Sequence, residues 1–181
     1  MEKHEKQIFR LIQDQNIGKA LQLIMDSYHE LLYWHIRKWV GVHEDANDVL
    51  QNTYIRIYKG LTAFKFKSSV KTWSYRIAYN ESMRHLDRLG RKGLSVAGEG
   101  AQKYFDSLQS DPYFDLEACN QRMIILLEQL PERSKQVFMM KDFDELTFDE
   151  VAAILQLNPN TVKSIYYKTK TQLLESLKQA I

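Results

Sequence analysis

The stretch Phe64-Lys-Phe-Lys-Ser-Ser-Val-Lys-Thr-Trp-Ser-Tyr-Arg76 interleaves cations with aromatic rings. Cations neutralise phosphates and release their counterions, while aromatic faces stack on unpaired bases at roughly 1–3 kcal/mol each. As a group, Lys65, Lys67, Lys71, Arg76 and Arg84 therefore favour nucleic acid over a solvated helix face. For Trp73 and Ile77 taken singly, a place in the core is the better expectation. A second set lies near the end of the chain, where Thr161, Lys163, Ser164, Tyr167, Lys168 and Lys170 fall in one short span. Short polar side chains read base edges in a major groove while lysines hold phosphates. The alternative for this set is an ordinary exposed helix.

Enzyme chemistry finds little support. Glu81 and His85 stand i, i+4, but two ligands alone make no metal site. His29, His35 and His43 lack a Cys partner at ligand spacing, and the lone Cys119 rules out an intramolecular disulfide framework. Asp142-Phe-Asp-Glu145 lacks the glycine and ligand spacing of a calcium loop. Neither a Walker loop nor G-x-S-x-G occurs. No catalytic residue, metal, cofactor or small-molecule substrate is expected.

Charge sharpens the nucleic-acid reading. The 181 residues carry 25 Lys+Arg against 23 Asp+Glu, a formal +2 that excludes a uniformly basic protein. The balance is segregated, however. Residues 62–93 hold 8 basic and 2 acidic side chains, and residues 159–181 hold 4 and 1. Between them, residues 94–118 hold 1 and 5, and residues 119–158 hold 4 and 7. Two basic elements are thus masked by an acidic middle. A hydrophobic content of 44% excludes intrinsic disorder as the general state. With no signal-peptide pattern and no apolar run of about 18 residues, a cytoplasmic protein without membrane insertion is expected.

The elements that must position these residues are helical. Neither half shows strand alternation or hairpin signals. Ala46, Val49, Leu50, Thr53, Ile57 and Leu61 fall at i, i+3, i+4, i+7 spacing, predicting one buried helix face after a stop at Gly41. A further helix is predicted over about 69–89, with Trp73, Ile77, Asn80 and Arg84 along one stripe. Three glycines between Gly93 and Gly100, then Pro112, mark a linker at about 91–115. Beyond it a helix is predicted from Leu116 to Leu130, and Pro131 is expected at the N1 position of the next. Thr147-Phe-Asp-Glu150 is a capping box. Gln156-Leu157-Asn158 then breaks the chain before a last helix opened by Asn158-Pro159. Two helices joined by so short a turn have helix-turn-helix grammar. The fold expected is all-α: two helical domains, 1–90 and 116–181, joined by a flexible acidic linker.

These motifs resemble those of an extracytoplasmic-function sigma factor, the sigma-70 family group with only regions 2 and 4. Asp45-Ala-Asn-Asp-Val-Leu-Gln-Asn-Thr-Tyr-Ile-Arg-Ile-Tyr-Lys59 is similar to the region 2.2 motif D-A-E-D-L-V-Q-E-V-F-L-R-V-W. Phe66 to Asn80 is similar to the F-x-T-W-L-Y-R-I-A-x-N signature of regions 2.3–2.4. Leu130-Pro-Glu-Arg133 and Thr161-Val-Lys-Ser164 resemble region 4 landmarks. Departures are Asn52 for the usual acid, Asn160 for Gly, Ile165 for Arg, and Tyr166-Tyr167 for the common L-H pair.

The resemblance implies a non-catalytic initiation subunit that binds core RNA polymerase and helps to open promoter DNA. Asp45, Asp48, Gln51, Asn52, Ile55 and Tyr58 would dock on the β′ clamp helices. Phe64, Lys65, Lys67, Lys71, Thr72, Trp73, Tyr75, Arg76, Asn80 and Arg84 would bind the −10 element, capturing an unstacked base. Arg133, Thr161, Lys163, Ser164, Tyr167, Lys168 and Lys170 would read the −35 element, with region 4 on the β flap. The acidic linker would run towards the RNA exit path as a nucleic-acid mimic. An anti-sigma factor is a further implied partner. The rivals are a helix-turn-helix regulator acting without polymerase and a helical protein–protein adaptor.

Overall fold

The computed structural model of the chain describes residues 3–90, 126–127 and 129–178. The expected linker, Cys119 and nearly all of the helix expected over 116–130 lie outside them. Among the described residues every regular element is helical, and the chain divides into two compact units, Met1–Arg88 and Leu89–Ile181.

In the first unit, α1 (Lys3–Gln13) and α2 (Ile17–Val40) are separated by a tight corner in which Gln15 takes a left-handed φ of 55°. Helix α2 ends at Gly41, whose φ of 79° lets its N–H close on the Arg37 carbonyl at 3.0 Å. The Arg37 guanidinium donates to the Gly41 carbonyl and locks the turn. Helix α3 (His43–Leu61) follows with Glu44 and Asp45 in its first turn, where the helix dipole favours acids. Its buried residues are Ala46, Val49, Leu50, Thr53, Ile57 and Leu61, the stripe that the spacing marked.

Helix α4 (Val70–Arg88) completes a mutually packed trio with α2 and α3, and α1 lies against α2. The core gathers Ile8 of α1, Ile24, Leu32, Ile36 and Trp39 of α2, Ile57 and Leu61 of α3, and Tyr75 and Ala78 of α4. Buried His35 tilts against Tyr75 with centroids 4.8 Å apart. This packing of apolar faces, rather than local propensity, holds such helices in place.

In the second unit, α5 (Glu132–Phe138) runs directly into a π-helical turn, Met139–Phe143. Pro131 is the N-cap of α5 and not its N1 residue: its ψ of 139° is extended, and only its carbonyl joins the helix, accepting from Lys135 N–H at 3.0 Å. Helix α6 (Phe148–Leu155) begins with the capping box complete, Thr147 and Glu150 satisfying each other's N–H groups. It ends at Gln156, left-handed at φ 55°, and α7 (Pro159–Lys178) starts after Asn158, whose Oδ1 accepts from Asn160 N–H at 2.8 Å. Val137, Met140, Leu146, Val151, Ile154, Val162, Tyr166 and Leu173 form this unit's own core.

Candidate nucleic-acid and protein interfaces

Burying one stripe of α3 leaves the opposite one open. Asp48, Gln51 and Asn52 are exposed, and Ile55 and Tyr58 each keep 51% of their surface in solvent. Two large apolar side chains open on one helix face, flanked by polar ones, are the pattern of a protein contact. Asn52 turns back to donate to the Asp48 carbonyl at 2.8 Å. Asp45 is placed differently. It is half-buried, with Oδ1 3.4 Å from Nε2 of His85 on α4.

The loop between α3 and α4 carries the first part of the interleaved segment, and its rings Phe64 and Phe66 cluster with Trp73 of α4 and Phe9 of α1. Phe64 packs on Trp73 at 4.6 Å and on Phe66 at 4.6 Å, and Phe66 meets Phe9 of α1 at 4.5 Å. Phe66 holds a left-handed φ of 54°, a conformation costing a non-glycine residue of order 1–3 kcal/mol that surrounding contacts must offset. Phe64, Phe66 and Trp73 are half-buried, while the interleaved Lys65 and Lys67 are exposed. Trp73 is thus neither a core residue nor a free one. Gly60 lets it sit where it does, since a Cβ there would lie 2.8 Å from the indole.

Along α4 the expected residues separate by face. Arg76 is half-buried, and Asn80 and Arg84 are exposed on the stripe beginning at Trp73. Thr72 and Tyr75 lie on the other side and are buried. Lys71 is half-buried with Nζ 5.9 Å from the Tyr75 ring centroid. A groove of about 390 Å³ between α3 and α4 is lined by Asn52, Arg56, Glu81, Arg84 and Arg88 among others. Glu81 ties the two helices together through Arg56 of α3 at 3.3 Å and also pairs with Arg84 one turn along α4 itself. It is an ion-pair partner there, and no group of three His, Cys, Asp or Glu able to hold a metal occurs among the described residues.

On α7, Thr161, Lys163, Ser164, Tyr167, Lys168 and Lys170 are all exposed, and Val162, Tyr166, Thr169 and Leu173 are buried. Tyr166 donates to Asp142 of the π-helical turn at 3.1 Å, and Lys170 donates to the Tyr166 hydroxyl at 3.4 Å. Burial raises the Tyr166 pKa, so the hydroxyl stays a donor. Phe148 of α6 packs on both Tyr166 and Tyr167, at 5.3 and 6.0 Å. Arg133, at the start of α5, is exposed and bonded to Gln136 at 3.2 Å.

Sequence reasoning overlooked Glu5, Phe9 and Gly60. Glu5 had a signal: it shares the i, i+3, i+4, i+7 stripe of Ile8, Phe9 and Ile12, where an acid needs partners. Its carboxylate accepts from the backbone N–H groups of Val70 and Lys71 at 3.1 and 3.0 Å and from the Tyr28 hydroxyl at 3.3 Å.

Comparison with known proteins finds two family models in this chain. Residues 24–92 match the family model for Sigma-70 region 2, and residues 121–173 match that for Sigma-70 region 4. The RNA polymerase sigma-H factor of Pseudomonas aeruginosa is 26% identical over 88% of this chain and 86% of its own length. The ECF RNA polymerase sigma factor SigW of Bacillus subtilis is 29% identical over 86% of this chain and 87% of its own length. Among solved structures, CnrH in complex with the cytosolic domain of CnrY shares the fold, with TM-score 0.65 and 17% identity over 94% of this chain and 97% of that one. The sigma factor RpoE of Bartonella quintana, in complex with the anti-sigma factor NepR, gives 0.61 and 20% over 91% and 98%. The chain belongs to the sigma-70 family as an extracytoplasmic-function sigma factor with regions 2 and 4. It is therefore an RNA polymerase sigma factor, and the polymerase-independent regulator is not favoured. No helix among the described residues is long and apolar enough to cross a membrane.

Proposed function

We propose that this sigma factor divides its work between three surfaces and carries out no catalysis of its own. The open face of α3 docks on the clamp helices of core RNA polymerase: Ile55 and Tyr58 supply the apolar anchor, and Asp48, Gln51 and Asn52 orient it. Asp45 lies half-buried at the edge of this face, with Oδ1 3.4 Å from His85 Nε2 of α4, and is not one of its exposed contacts. The loop 62–69 and the outer stripe of α4 bind the −10 element. Phe64 and Trp73 offer ring surface to an unstacked base, and Lys65, Lys67, Lys71, Arg76, Asn80 and Arg84 track the strand. Thr72 and Tyr75 support this surface from the core. The exposed stripe of α7, with Arg133, reads −35 duplex DNA, and region 4 seats on the β flap. Domains 1–90 and 116–181, with an acidic connector between them, carry these roles.

The observation that carries the docking assignment is the pair Ile55 and Tyr58, each half in solvent on an otherwise polar helix face. An anti-sigma factor is the partner expected to compete for such surfaces. Supporting this, the two solved sigma factors above are each in a complex, RpoE with the anti-sigma factor NepR and CnrH with the cytosolic domain of CnrY. Promoter opening proceeds by trapping melted bases, with no nucleotide hydrolysed by this chain, which acts in the cytoplasm. Pull-down of purified core polymerase tests the assignment. The parent chain retains core, whereas exchanging Ile55 and Tyr58 for Ala removes it; retention by both chains would refute the docking role.

A further inference from the structure

The first four N–H groups of α4 are all taken. Val70 and Lys71 donate to Glu5 at 3.1 and 3.0 Å, Thr72 donates to the Ser69 hydroxyl at 2.9 Å, and Trp73 donates to the Ser69 carbonyl at 3.0 Å. A helix start beside three lysines would otherwise be a ready site for a backbone phosphate. Here a carboxylate from a helix 65 residues earlier in the chain occupies it, and Glu5 is buried at 7% exposure. One turn further along α1, Phe9 packs edge-on against Phe66, the residue strained at φ 54° in the middle of the loop. Helix α1 therefore grips the basic aromatic loop twice, at its centre and where it enters α4. Neither Glu5 nor Phe9 belongs to the residues assigned to the DNA strand.

We propose that α1 is a brace that presets the loop 62–69 for strand capture, with Glu5 and Phe9 as its positioning residues. This rests on the assignment of that loop to the unpaired −10 strand and explains how the loop is held ready before DNA arrives. A left-handed phenylalanine is a costly conformation that surrounding contacts must offset, and Phe9 supplies one of those contacts from outside the loop. Affinity for a strand scales with the fraction of molecules in the competent arrangement, so releasing the brace weakens capture without removing any residue that touches DNA.

The test is binding of a fluorescein-labelled, mixed-sequence single-stranded DNA by the full chain, followed by anisotropy across a salt series. Glu5→Ala and Phe9→Ala should each weaken binding about tenfold, as expected if the competent fraction falls to about one in ten. Phe9→Tyr keeps the ring and should restore parental affinity, and all three should bind core polymerase normally. Lys65→Ala with Lys67→Ala is the control for the underlying assignment, weakening binding and flattening the salt slope by about 0.7 for each phosphate no longer neutralised. If that control binds like the parent, the loop is not a strand site. If the control weakens but Phe9→Ala binds as tightly as Phe9→Tyr, the brace is overturned. Tighter binding by Glu5→Ala, with a steeper slope, would also overturn it, making Glu5 a competitor of phosphate at α4. Phe9 is half-buried, so its two variants decide the matter even where Glu5→Ala fails to fold.

Discussion

Replacing Gly60 by Ala should disturb strand capture from a residue that no DNA touches. Gly60 stands in the last turn of α3, and a Cβ built there lies 2.8 Å from Cζ2 and 3.2 Å from Cη2 of Trp73. Carbon atoms rest comfortably at about 3.5–4.0 Å, so the indole must retreat by about 0.8 Å. It cannot do so alone, because Phe64 lies 4.6 Å from its centroid and Phe66 lies 4.6 Å from Phe64. Helix propensity favours the alanine by about 1 kcal/mol, and overpacking costs about 1–3 kcal/mol. The variant should therefore be unchanged or up to about 2 kcal/mol less stable. Single-stranded DNA affinity should fall as the Trp73–Phe64 surface shifts. Gly18→Ala is the internal control, for nothing lies within 4 Å of its Cβ position and α2 should gain the propensity term alone. Urea unfolding followed by circular dichroism, with anisotropy for DNA, measures both. If Gly60→Ala is stabilised as much as Gly18→Ala and binds DNA like the parent, the close approach has no functional consequence.

Three further outcomes follow from the same geometry. Asp48→Lys should weaken core binding with helical content intact, because the side chain is exposed on the docking face; unaltered retention in a pull-down would remove Asp48 from that face. Lys163→Ala with Lys168→Ala should weaken −35 duplex binding and lower its salt slope by about 0.9 for each phosphate no longer neutralised, whereas an unaltered slope assigns both lysines to solvent. Burial pushes Tyr54, which meets His29 at 3.1 Å, up to about 12. Its unfolded form ionises near 10, so this contribution is whole below pH 10 and fades as pH rises towards 12. Tyr54→Phe should lose less stability over that window than the parent in pH-stepped urea melts; parallel losses would count against a buried phenol.

Features written in local chemistry were legible in the sequence. Gly41 ends α2 because a left-handed residue is needed there, Thr147 and Glu150 cap α6, and Asn158-Pro159 opens α7, each decided by a few neighbouring atoms. The α3 stripe was equally readable, since its spacing and its burial are one geometric fact. What escaped depends on partners far along the chain. Glu5 caps a helix 65 residues away, and no local pattern at either end names the other. The interleaved segment was only partly readable, because alternating cations and rings do not reveal which side of α4 each faces. Tyr75 turned inward to His35, and Trp73 stopped halfway, against Gly60 and Phe64. The π-helical turn at Met139–Phe143 is likewise tied from outside, by Tyr166 reaching Asp142.

As a sigma factor, this chain should give core RNA polymerase a promoter preference that core lacks alone. In vitro transcription of fragmented genomic DNA by purified core, with and without the chain, followed by mapping of start sites, measures that preference. New starts should appear that share −10 and −35 sequences and that vanish when Ile55→Ala and Tyr58→Ala are combined. Identical starts with and without the chain, or starts indifferent to those substitutions, would contradict the assignment.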